Sequence, residues 1–257
     1  QRPVCPWCES DLHSYSVKQV WFEGNGNLLI TDSQMRKLGF QDDVYYDEIP
    51  DAYGSPSYGG LEIANEPIYT LPLIDEFTIT INGSQTEVSN ESSITAFGPG
   101  YAVFLEDVLL NSDTHDMLLI SNDGTSVSYQ ASQPQQVTLG LIFDTEDANW
   151  QLETKQLEMT AGDQKTLSAE TSDKILELSS SQTSTGSYDI YFTRTGNDSI
   201  DLFYNASITI EAGSTHLLHF DGWQTTGTVQ CDIDENGDGD PDETVYLENQ
   251  LKMLYLP

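Results

Sequence analysis

Val137-Thr-Leu-Gly-Leu141 and, 51 residues further on, Tyr188-Asp-Ile-Tyr-Phe192 share one pattern, with a large apolar side chain at every second position. The match runs without gaps from Val137–Leu178 onto Tyr188–Val229. Leu157 and Met159 fall on Ile208 and Ile210, Ala161-Gly162 on Ala212-Gly213, and Leu167 on Leu218. Steps of two place successive anchors on one side of an extended chain. Each copy therefore reads as strand, loop, strand, Ala-Gly turn, strand and strand, with one buried face kept throughout. Two such copies pack as one sandwich or stand as a tandem pair.

Upstream, Phe77, Ile79 and Ile81 alternate with Thr78 and Thr80 and run into Asn82-Gly83, a pair that favours two-residue hairpin turns. Further strands are expected at Tyr101–Leu105, Met117–Ile120 and Ser126–Gln130, the last two joined across Asn122-Asp123-Gly124. No stretch carries a helical period, and short helical turns near Leu105–Leu110 are the most the pattern allows. Tyr15, Val17, Gln19 and Trp21 alternate with Ser16, Lys18, Val20 and Phe22, so both faces of this arm carry apolar groups. Such a strand needs cover on both sides, in its own sheet or in that of a neighbouring subunit. The residues from Leu28 to Phe40 lead into an acidic, tyrosine-rich stretch (Tyr45, Tyr46, Tyr53, Tyr58) that reads as a long loop. The expectation is an all-β protein of immunoglobulin-like or jelly-roll-like sandwich modules. An arm at 1–28 would precede two packed domains, 29–134 and 135–257.

Directly after the second copy comes Asp232-Ile-Asp-Glu-Asn-Gly-Asp-Gly-Asp-Pro-Asp-Glu243. Oxygen-bearing side chains at Asp232, Asp234, Asn236, Asp240 and Glu243 occupy positions 1, 3, 5, 9 and 12, the Asp238 carbonyl occupies position 7, and Gly237 sits at position 6. That is the spacing of a twelve-residue calcium loop, since a hard divalent ion takes six to eight oxygens and glycine permits the tight turn around it. The loop carries seven carboxylates. Without a cation it repels itself. Its flanks, Thr226–Cys231 and Glu243–Leu247, look like strands, so a structural Ca2+ staple between strands is expected rather than a paired helix–loop–helix sensor.

At 257 residues with a net charge of −33 and only nine Lys and Arg, the chain is a poor partner for nucleic acid or an anionic membrane. No apolar run is long enough to span a bilayer. A start at Gln1 suits a mature end left after signal removal, and four Asn-x-Ser sites (Asn82, Asn90, Asn197, Asn205) suit an exterior setting. Cys5-Pro-Trp-Cys8 reads as half a zinc site, a redox pair or a tight disulfide, of which an extracellular disulfide is favoured, and Cys231 leaves the pairing open, including to another chain. His13, His115, His216 and His219 form no metal pair, because His216 and His219 lie three apart in a strand and point to opposite faces. No serine elbow, phosphate loop or His-Glu-x-x-His is present. No enzyme activity is expected.

The segment Leu28-Leu-Ile-Thr-Asp-Ser-Gln-Met-Arg-Lys-Leu-Gly-Phe40, with Glu48-Ile-Pro-Asp-Ala-Tyr-Gly54 after it, resembles a recurring stretch of secreted bacterial and archaeal surface proteins built from β-sandwich modules. Ser187–Phe192, Ala212-Gly213, Asp221-Gly-Trp223 and Gly227–Val245 resemble, in that order, pieces of the same proteins. The resemblance implies an extracellular, structural protein. Together with the loop it leads us to expect a calcium-stabilised subunit that joins copies of itself in a filament, sheath or surface layer. The alternative is a carbohydrate-binding or adhesive module, with a surface glycan held by Tyr45 or Tyr53.

Overall fold

A computed structural model describes residues 17–42, 44–56, 66–73, 76–83, 90–181, 185–197 and 199–253. β1 (Lys18–Glu23) and β2 (Gly26–Asp32) lead to three short strands, β3 (Lys37–Gln41), β4 (Val44–Asp47) and β5 (Tyr53–Ser55), then to β6 (Ile68–Leu71) and β7 (Phe77–Gly83). From there the path is regular. β8 (Asn90–Gly98) and β9 (Tyr101–Leu110) form a hairpin in one sheet, and β10 (His115–Ile120) and β11 (Ser126–Gln130) form a hairpin in the other. The cycle recurs as β12 (Gln135–Asp144), β13 (Asn149–Met159), β14 (Gln164–Glu170) and β15 (Ile175–Ser180). It recurs again as β16 (Gly186–Thr195), β17 (Ile200–Ile210), β18 (Thr215–His219) and β19 (Thr228–Asp234). A single helical turn, α1 (Trp223–Thr226), interrupts the last copy, and β20 (Glu243–Glu248) follows it.

The nine-stranded sheet runs β17-β16-β13-β12-β9-β8-β1-β6-β5, and the eleven-stranded sheet runs β20-β19-β18-β15-β14-β11-β10-β7-β2-β3-β4. All neighbours are antiparallel. The sheets pack face to face as a sandwich over one continuous core, which includes Ile79, Leu105, Leu141, Leu167, Phe203 and Leu218. Alternation explains the packing: along β14 and β18, every second side chain is buried and its neighbours look outward. The boundary expected at residue 134 falls between β11 and β12, and the ladders β9–β12 and β11–β14 run across it.

The repeat has three copies, one more than the alignment of the second half shows. In each copy the first ladder slips at the same place, between Ser92 and Ile94, Val137 and Leu139, and Tyr188 and Ile190. Opposite each slip the chain goes left-handed, at Asp107 (φ 65°), Gln156 (φ 50°) and Ser207 (φ 60°). A bulge of this kind bends and twists the long hairpin so that it can lie over its partner sheet. Each crossing between sheets is closed by the same turn: Thr114, Asp163 and Ser214 donate their amides to the carbonyls of Asn111, Thr160 and Glu211. The Ala-Gly turns of the last two copies place Gly162 and Gly213 at φ 84° and 74°.

Three expectations are corrected. Asn82-Gly83 does not close a hairpin: β7 pairs with β2 and β10, and the next strand, β8, lies in the other sheet. Gly83 is there because the Asn111 turn crosses it so closely that a Cβ would meet the Asn111 carbonyl oxygen. No helix occurs at Leu105–Leu110, because β9 continues through it, bent at the Asp107 bulge. The tyrosine-rich stretch holds two edge strands, β4 and β5, while Tyr58 lies outside the described residues. From Lys18 onward the arm pairs inside its own sheet: β1 sits between β6 and β8, with Val20 buried and Trp21 edge-on against Phe97 on the outer face. Its first sixteen residues, Tyr15 and Ser16 among them, lie outside the described residues. Among the described residues no helix is long and apolar enough to cross a membrane.

Candidate metal centre

The acidic loop is the turn of the last hairpin. β19 and β20 pair with Asp232 opposite Thr244 and Ile233 opposite Glu243, and the Asp242 amide closes onto the Ile233 carbonyl at 2.7 Å. Ladder partners share a face and sequence neighbours do not. Asp232 and Glu243, the first and last positions of the twelve-residue register, therefore lie on opposite faces of the hairpin. Asp232 belongs to the strand. Its carboxylate accepts from Thr244 Oγ1 (2.6 Å) and Gln230 Nε2 (3.0 Å) and bonds His219 Nε2 at 2.8 Å. Burial works to raise its pKa, and the hydrogen bonds from Thr244, His219 and Gln230 together hold it below the ordinary carboxylate range.

Asp234 is the hub of the loop. Its side chain is buried, and its two oxygens accept the amides of Gly237 (2.7 Å), Gly239 (2.8 Å) and Asn236 (3.2 Å). The Gly239 amide, then those of Gly237 and Asn236, depress its pKa. Two further side-chain turns follow: Asn236 Oδ1 accepts from the Asp238 amide and Asp238 Oδ1 from the Asp240 amide, each at 3.0 Å. Asp242 Oδ2 closes the coil by accepting the Glu235 amide at 2.9 Å and the Asn236 amide nitrogen at 3.2 Å. Gly237 (φ 73°) and Gly239 (φ 93°) supply the left-handed steps that this winding needs.

The structure thus gathers Asp234, Asn236, Asp238, Asp240 and Asp242 into one coil and leaves Asp232 and Glu243 on the strands. A second frame is readable in the sequence: Asp234-Glu-Asn-Gly-Asp-Gly239 satisfies the same acid-x-acid/amide-x-acid/amide-Gly spacing two residues later, with Val245 at its twelfth position. Among the described residues, no three carboxylate, imidazole or thiol groups converge closely enough to hold a metal. The donor types suit a hard cation, and a closed shell requires the exposed side chains of Asp238, Asp240 and Asp242 to turn inward.

The remaining candidates have other partners. His216 lies inside against the Tyr188 hydroxyl (2.7 Å) and His219 outside on Asp232, on opposite faces as expected. Cys231 is a free, buried thiol, and burial pushes its pKa to about 12; Cys5 and Cys8 lie outside the described residues. The Asn205 amide is buried and donates to the Glu248 carbonyl, which leaves no room for a glycan on that nitrogen.

Sequence reasoning missed a polar row inside the sandwich. Asp116, Lys165 and His216 occupy the second position of β10, β14 and β18, and all three are fully buried. Asp116 accepts from Tyr129, Gln135 and Ser132, Lys165 donates to Ser180 Oγ at 2.8 Å, and His216 meets Tyr188. Burial lowers Lys165 to about 8 and, with the Lys165 charge, His216 to about 4. A polar residue recurring at one position of a repeat was the available signal. No protein-family model, curated protein or solved structure matches the chain.

Proposed function

We propose that this chain is an extracellular, non-catalytic structural protein that binds Ca2+, a subunit of a filament, sheath or surface layer that joins copies of itself. The supporting observation is the way the repeat ends. After three cycles that cross between the sheets, the chain turns back through the acidic coil, and β20 takes the place beside β19 that the next copy would fill. An ion held by Asp234, Asn236, Asp238, Asp240 and Asp242 would relieve the repulsion in that coil and fix the last two strands. A terminal unit needs such fixing, because a repeat protein is held at its ends by one neighbour only.

Thermal unfolding with Ca2+ and with chelator tests this reading. At a hundredfold excess over the dissociation constant, linkage gives about 2.7 kcal/mol of stabilisation. Asp234→Ala is expected to abolish that rise. A melting temperature indifferent to chelator in the parent chain rejects the calcium role. Electron microscopy of concentrated protein with Ca2+ tests assembly, and a chain that stays monomeric throughout rejects it.

A further inference from the structure

The outer face of the eleven-stranded sheet differs from the rest of the surface. Over β2, β7, β10, β11 and β14 the outward positions are Asn27, Leu29 and Thr31, then Thr78, Thr80 and Asn82, then His115, Met117 and Leu119, then Ser126, Ser128 and Gln130, then Gln164, Thr166, Ser168 and Glu170. Among these sixteen only Glu170, at the end of β14, is charged, although Asp, Glu, Lys and Arg make up 20% of the chain and would supply about three. Cross-strand registers align the hydroxyls in a row from Thr31 through Thr78 to Ser128 and Thr166, broken only by Leu119. Members on adjacent strands stand one strand spacing apart, about 4.8 Å, and Thr78 and Ser128, on either side of Leu119, stand about twice that. Ser128 and Thr166 hydrogen-bond at 2.7 Å. Met117 and Leu119, 42% and 43% exposed, form an apolar centre.

We infer that this face binds a neutral polysaccharide. The chemistry selects the partner by charge: a molecule of net charge −33 repels acidic glycans and nucleic acid, and on this face it offers basic ligands a single carboxylate, Glu170 at the end of β14. Regularly spaced hydroxyl and amide groups pair with sugar hydroxyls, while Met117 and Leu119 cover the apolar side of a ring. A second copy of the chain fits less well, since a stable dimer interface has an apolar centre larger than two half-exposed side chains provide. The inference builds on the exterior setting proposed above and is independent of the calcium loop.

Co-sedimentation with microcrystalline cellulose and with chitin tests it, in about 1 M salt, where the screening length is about 3 Å and charge effects vanish. The parent chain is expected to pellet with at least one of the two. Met117→Glu and Ser128→Glu, on exposed or half-exposed positions that leave the core intact, are expected to stay in solution. Tyr246→Glu, on the same sheet but outside the patch, is expected to pellet like the parent. Failure of the parent to pellet with either polymer overturns the inference, as does equal binding by all three variants. A parent dimer that Met117→Glu dissociates overturns it too, by assigning the face to self-association. None of these results moves the calcium-dependent melting temperature, so the two readings fail separately.

Discussion

The second and third copies of the repeat share a backbone and differ in what they do with it. Both slip register at the same residue pair, both go left-handed at the residue opposite (Gln156 and Ser207), and both cross between sheets on an Ala-Gly turn. At the second position of the inner strand, however, one buries Lys165 and the other His216. After the last strand one crosses back to the nine-stranded sheet, while the other enters the acidic coil. Apolar periodicity and turn chemistry therefore set the frame, and the buried polar positions and the exit carry the individuality.

If the copies are one cooperative frame, equivalent core truncations must cost alike. Leu167 and Leu218 are both fully buried at matching positions. Leu→Ala at either is expected to lower stability by about 2–5 kcal/mol through lost burial and the cavity left behind. Denaturant unfolding monitored by tryptophan fluorescence checks this. A single transition for both variants supports one unit, and two transitions in either would show that the copies unfold separately.

The buried polar row separates the copies by pH. His216, held near 4 against an ordinary 6.5, binds fewer protons folded than unfolded, so its contribution grows as pH rises from about 4 to 6.5. Lys165, held near 8 against 10.5, acts in the same direction between about 8 and 10.5. Each shift is worth about 3 kcal/mol. Glu66 opposes His216: burial raises its carboxyl to about 7 against hydrogen bonds from Tyr69 and the Leu28 amide, so stability falls as pH rises from about 4.5 to 7. The two largely cancel over the acidic range. Glu66→Gln should therefore expose a rise in stability with pH, and His216→Phe a fall. Parallel pH curves for parent and both variants would contradict these environments.

Where the third copy stops, Asn249 stands in for a strand. Its buried amide donates to the Leu202 carbonyl at 2.8 Å and accepts from the Tyr204 amide at 3.3 Å, along the open side of β17. Asn249→Ala leaves both backbone groups to water and is expected to cost about 1–2 kcal/mol. In that variant the Tyr204 amide is expected to exchange faster than in the parent chain, while its counterpart Glu153, covered by β16, exchanges as before; unchanged exchange at Tyr204 would reject the plug.

Much of this was legible. The all-β class followed from alternation at Phe77–Ile81 and Val137–Leu141, and the inward and outward histidines followed from their spacing. What failed was non-local. Asn82-Gly83 looks like a hairpin because turn chemistry is local, whereas which sheet the next strand joins depends on the crossing beside Asn111. The first copy escaped alignment because its turn is Asn111-Ser-Asp-Thr114 rather than Ala-Gly, and its left-handed Asp107 lies 49 residues before Gln156 instead of 51. The loop offers a choice of register for a related reason: acids at alternate positions satisfy the first half of one spacing rule from Asp232 and again from Asp234, and the second frame puts Val245 where the first puts Glu243.

That choice gives the smallest and sharpest effect. Asp232 serves a strand pair with His219 and Thr244 at the surface, where such a contact contributes about 0–1 kcal/mol. Asp232→Asn should therefore barely change the melting temperature and should leave the Ca2+-dependent rise intact, whereas Asp234→Asn should remove that rise. The contrast follows from geometry alone, because the Asp234 oxygens face the coil while Asp232 faces the strand beside it. If instead Asp232→Asn abolishes the response to Ca2+, the ion draws Asp232 out of its strand pair, and the frame from Asp232 to Glu243 is the one that binds.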